Sequence, residues 1–114
     1  MDLYFMDMPP VARDFLNYLG TIKGRSVRTV EAYYIDLRLF LKFLKLFKSG
    51  FPIQQITDEQ IDKADITDLD LNFFGSVKTA EIYEFMQYTY KGRANNAATR
   101  SRKTSSILFL VFQL

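Results

Sequence analysis

A long amphipathic run between Ser26 and Gly50 restricts the fold more than any other feature. Val30, Tyr33, Tyr34, Leu37, Phe40, Leu41, Leu44 and Lys48 recur at three- and four-residue spacing. On a helix they fall within about a third of the circumference. Ser26 is the short acceptor residue a helix start favours, while Gly50 and Pro52 mark the end. Arg38, Lys42 and Lys45 form a basic flank beside the stripe. An apolar stripe of that length must be covered by other elements of the chain.

Those other elements also read as helices, and no segment alternates as a strand. Pro9 and Pro10 suit a helix start, because a first turn leaves its N–H groups unpaired in any case. Val11, Phe15, Leu16, Tyr18, Leu19 and Ile22 then repeat helically until Gly24. Thr57 with Gln60 predicts a capping box opening a short acidic helix through Ile61. Ile66, Leu69, Leu71, Phe73 and Phe74 follow closely, as a single turn before Gly75. A third main helix starts at Thr79, with Ile82, Phe85, Met86 and Thr89 on one side, and ends at Gly92. Asn95 and Asn96 cap a fourth that runs to the C-terminus. The expected fold is all-α, with four main helices and a short extra helix between the second and third. At 114 residues this is one domain, spanning 1–114.

Two absences narrow the chemistry. The chain has no Cys, which excludes a disulfide framework, a Cys-based zinc site and a thiol nucleophile. It has no His, which excludes Ser-His catalysis, His-ligated metals and imidazole proton shuttles. Asp58, Asp62, Asp65, Asp68 and Asp70 miss the order of a calcium loop and read as a solvated edge, so no metal or cofactor is expected. The start of the chain lacks a basic segment followed by an apolar run, and the run from Ile107 to Phe112 is far below the ~20 residues a membrane span needs. The expectation is a soluble, cytoplasmic protein that binds a partner other than a membrane or a small-molecule substrate.

The charge distribution indicates what kind of partner. Net charge is +2, yet Lys23 to Lys48 carries seven basic residues, Asp58 to Asp70 six acidic ones, and Lys91 to Lys103 five basic ones without an acid. Such asymmetry favours an anionic partner on one face. In the last helix Thr99, Arg102, Lys103 and Ser106 share a side, with Arg100 beside them, opposite Ala98, Ser101, Ser105, Leu108, Phe109 and Phe112. Cations and hydroxyls opposite a small and apolar face suit a helix laid in a major groove. The junction of the first two helices repeats the theme with Lys23, Arg25, Ser26, Arg28 and Thr29. Two helix starts of the same chemistry read as a two-point clamp on a phosphate backbone. The plainer reading of each is a solvated basic surface, with Ser26 only a cap.

The stretch "VARDFLNYLGTIKGRSVRTVEAYYIDLRLFLKFL" resembles the opening of the core-binding domain, the N-terminal SAM-like domain of tyrosine recombinases and phage integrases. The resemblance rests on Phe15, Leu16, Tyr18, Leu19, Lys23, Gly24, Ser26, Thr29, Tyr33, Asp36, Leu37, Phe40, Phe43 and Leu44. "TAEIYEFMQY" and "NNAATRSRKTSSI" are similar to that family's third and fourth long helices, in the right order. The resemblance implies a SAM-like orthogonal four-helix bundle that grips duplex DNA through its second and fourth main helices. It implies contacts from Arg25, Ser26, Arg28, Thr29, Thr99, Arg100, Arg102, Lys103 and Ser106. The family's catalytic residues belong to a separate domain with a histidine-containing motif, so this chain is expected to be no enzyme by itself.

The ending "LFLVFQL" departs from the family pattern, with Leu108 where an Arg is usual and Ile107, Leu110 and Val111 outside the core stripe. An apolar tail of this kind predicts a homodimer through the C-terminal helix, or marks the end of a truncated reading frame. The alternative function is therefore a helical protein-interaction domain that self-associates and binds no DNA. The basic face at Thr99, Arg102, Lys103 and Ser106 favours the DNA-binding reading, since a dimerisation helix has no need of it.

Overall fold

Pro9 is extended (φ −65°, ψ 153°) and Pro10 takes the first position of helix α1, Pro10–Thr21, so proline geometry alone sets this start. The structure, a computed structural model, describes residues 5–92, with only the backbone of Gln54 and of residues 89–92. The expected fourth main helix at Asn95 and Asn96 lies outside the described residues. So do the contacts expected from Thr99, Arg100, Arg102, Lys103 and Ser106, and the self-association through the apolar tail.

The described residues contain five α-helices and one 3-10 turn, and no strand. Helix α1 buries Ala12, Leu16 and Leu19. These lie within about 60° of one another at 3.6 residues per turn, which leaves Tyr18 well to one side. The expected stripe therefore contracts: Tyr18 is exposed, and Ile22, beyond the last turn, is 71% exposed. Gly24 then turns the chain at φ +65°, where a side chain would strain the backbone. The amides of Lys23 and Arg25 bond back to the carbonyls of Tyr18 (3.1 Å) and Leu19 (3.0 Å), which satisfies the end of α1.

Helix α2, Val27–Lys48, is the centre of the molecule. Its sequence reads as one stripe, but residues 39–44 are all buried, so neighbours surround this stretch. Those neighbours are α1, the short acidic helix α3 (Asp58–Lys63) and α5 (Thr79–Gly92). Phe85 of α5 meets Phe40 edge-on at 5.1 Å and lies 5.4 Å from Phe43, which in turn has Tyr88 at 4.9 Å. Phe40, Phe43 and Phe85 are fully buried, each contributing about 1.5–3 kcal/mol by removal from water. This aromatic cluster fixes α5 on α2.

The segment before α1 is also part of the core. Phe5 and Met8 are buried, and the Phe5 ring lies 5.3 Å from that of Tyr34. Between them, Asp7 accepts hydrogen bonds from Arg38 Nε at 2.6 Å and Tyr34 Oη at 2.8 Å. The capping box at α3 forms as expected: Thr57 Oγ1 accepts from the Gln60 amide, and Gln60 Oε1 accepts from the Thr57 amide. The link from α2 to α5 holds the expected short helix and turn, and a 3-10 turn besides. A 3-10 turn, Ile53–Gln55, precedes α3, and a further turn of helix, α4 (Leu71–Gly75), is capped by Asp70. The single turn expected from Ile66 to Phe74 is confined to α4: Ile66 and Leu69 precede it and are buried, whereas Leu71 at its start is 72% exposed.

Candidate nucleic-acid interface

A surface that holds a polyanion needs cations whose charge is not already spent within the chain. Measured by that requirement, the basic run from Lys23 to Lys48 divides in two. In its second half, Arg38 is paired with Asp7, and Lys45 donates to Asp68 Oδ1 at 2.9 Å and to the Asp65 carbonyl. Lys48 donates to Ser76 Oγ at 2.8 Å, lies 3.5 Å from Glu81 and sits over the Phe73 ring. Lys42 is buried, and its ammonium donates to the Asp62 carbonyl at 3.3 Å. The basic flank expected on α2 is therefore an internal seam. The acidic block is exposed as expected, and it meets the α2 lysines through the Asp68 carboxylate and the backbone carbonyls of Asp62 and Asp65.

The electrostatics of this seam follow from its geometry. Partial burial alone would raise the Asp7 carboxyl, but hydrogen bonds from Arg38 and Tyr34 and the Arg38 charge outweigh it and hold Asp7 below the ordinary value. Burial, and then the Asp7 carboxylate it donates to, push the Tyr34 phenol up. Burial and the like charge of Arg38 push Lys42 down, against the attraction of Asp7, Asp62 and Asp65. Hydrogen bonds from the Thr67 amide and hydroxyl hold the exposed Asp65 carboxyl down.

The first half of the run is different. Lys23, Arg25 and Arg28 are exposed at the α1–α2 junction, and none has a carboxylate partner among the described residues. Ser26 caps α2, its Oγ accepting from the Thr29 amide at 3.2 Å and donating to Thr29 Oγ1 at 3.0 Å. The Ser26 hydroxyl is thus engaged within the chain, while Thr29, an acceptor in that bond, keeps its own proton to donate. The amides of Val27 and Arg28 make no hydrogen bond among the described residues. Open amides, a helix start and three unneutralised cations form a site suited to phosphate.

Of the nine contact residues expected from sequence, the structure brings Arg25, Ser26, Arg28 and Thr29 together on this junction. Lys23, part of the basic junction in the sequence but not among those nine, is exposed and without a carboxylate partner among the described residues, like Arg25. Among the described residues there is no cluster of His, Cys, Asp and Glu suited to a metal ion, and no helix long and apolar enough to cross a membrane.

The family model described as "Phage integrase, N-terminal SAM-like domain" matches residues 12–110. The chain is 34% identical over 110 residues to the tyrosine recombinase XerC of Caldanaerobacter subterraneus subsp. tengcongensis, an alignment covering 93% of this chain and 30% of that protein. The chain thus spans less than a third of the length of the relative it matches. No solved structure matches it.

Proposed function

Starting from the fact that the chain belongs to the phage integrase N-terminal SAM-like domain family, we propose that it is a DNA-binding module of a site-specific recombinase. Arg25, Arg28 and Thr29, with the amides at the start of α2, hold the phosphate backbone, and the cap made by Ser26 fixes their geometry. Thr99, Arg100, Arg102, Lys103 and Ser106 form the second point of the grip. The segment binds duplex DNA and performs no strand cleavage by itself.

The observation that carries this reading is the division of the basic run. Arg38, Lys45 and Lys48 are neutralised by Asp7, Asp68 and Glu81, whereas Lys23, Arg25 and Arg28 have no such partners among the described residues. Three such cations gathered at one helix start keep their charge available to a phosphate backbone. Titration of a labelled duplex with the chain tests the proposal. Binding is expected at low salt, roughly micromolar or weaker at physiological salt, falling steeply as salt rises. An absence of binding at low salt would refute it.

A further inference from the structure

The exposed face of α2 continues past the junction and changes character. Arg28, Glu31, Ala32 and Ile35 are all exposed and lie within about 100° of the helix circumference. Ile35 is 52% exposed in the middle of the helix, and Val27 at its start is 61% exposed. A surface meant only for phosphates would continue with cations. This one places a carboxylate, a small residue and a branched aliphatic beyond Arg28, and repulsion makes Glu31 a poor neighbour for a phosphate.

That combination matches the chemistry of base edges in the major groove. An aliphatic side chain contacts the thymine methyl group, a small residue allows close approach, and a carboxylate accepts from the cytosine amino group. We infer that this face of α2 reads sequence, with Ile35 a specificity-determining residue that contacts a thymine methyl while Arg28 anchors the helix start. The inference rests on the DNA-binding reading above. The charge of the junction supplies the complementarity that commits the face to duplex DNA. Ile35 lies seven residues beyond Arg28, about 10 Å along the helix axis. At about 3.4 Å per base step, that places its contact some three base pairs from the anchor.

The experiment selects preferred duplexes from a random pool with the full chain, then replaces each thymine of the selected site by uracil, which removes only the methyl group. For the unaltered chain, one replacement is expected to weaken binding about four-fold, the worth of one buried methyl-sized group. For Ile35→Ala, which alters an exposed helical position, the same replacement is expected to have no effect, while the salt dependence stays as it was. If no thymine position responds, or if the response persists in Ile35→Ala, the inference is overturned and DNA binding stands. If the chain binds no duplex at all, both readings fall.

Discussion

Substituting Asp7 by Asn removes one charge and leaves the shape of the side chain. Asp7 holds the segment before α1 to α2 through Arg38 Nε at 2.6 Å and Tyr34 Oη at 2.8 Å. Hydrogen bonds to charged groups contribute about 1.5–3 kcal/mol when sheltered. Here the two ion-pair side chains are 43% and 34% exposed, so solvent screening reduces the pair to roughly 1 kcal/mol. Asparagine can still accept from Tyr34, which keeps part of the link. Asp7→Asn is therefore expected to cost about 1 kcal/mol near neutral pH, and phenol hydrogen bonding should survive.

The sign of the pH dependence follows from linkage. The carboxyl of Asp7 is held below its ordinary value of 3.8 in the folded chain. Its contribution is fully present above that value and is lost as pH falls through the lower, folded value. Denaturant unfolding of both proteins measures the difference in stability at each pH. That difference should be constant near neutrality and shrink below pH 3.8 as the native carboxylate gains its proton. Using the difference cancels the other carboxylates, including Asp65, whose value is also lowered. A difference that stays the same to the lowest accessible pH, or none at neutral pH, would refute the reasoning.

Two further substitutions test the core. Lys42→Met should leave stability unchanged or raise it by about 1 kcal/mol near neutral pH, because burial opposes the Lys42 charge and its ammonium donates to a carbonyl only. Its advantage should fade as pH rises toward 10.5, where a buried lysine is neutral and its cost is gone, as unfolding curves across that range would record. Phe85→Ala should cost about 3–5 kcal/mol, since its ring is fully buried against Phe40 and Phe43, and melting temperature reports the loss.

Helix boundaries were legible in the sequence because their causes are local. Pro10, Ser26, Gly24 and the pair Thr57 and Gln60 each act within a few residues of the end they define. The availability of a cation was not legible, because its partner lies far along the chain. Asp7 meets Arg38 across 31 residues, and Asp68 meets Lys45 across 23. Asp68 belongs to the acidic block that follows the basic one, but Asp7 and Glu81, which pair with Arg38 and Lys48, lie outside it. Ile22 and Leu71 fit apolar patterns in sequence yet are exposed, since periodicity describes a helix face and both sit at helix ends. The resemblance implied contacts from Arg25 and Arg28, and these two lack, among the described residues, the carboxylate partners that Arg38 and Lys45 have.

The most direct test of the account compares cations of the two kinds within α2 and its start. The slope of log affinity against log salt, measured on one duplex, counts the phosphates neutralised, at about 0.9 per contact. The combined Arg25→Ala and Arg28→Ala variant should reduce the slope by roughly 2, since both side chains are without carboxylate partners among the described residues. Lys45→Ala should leave it nearly unchanged, since that ammonium is paired with Asp68. Equal reductions from Lys45→Ala and from the junction variant, or no reduction from the junction variant, would contradict the claim that the α1–α2 junction is the surface this chain offers to DNA.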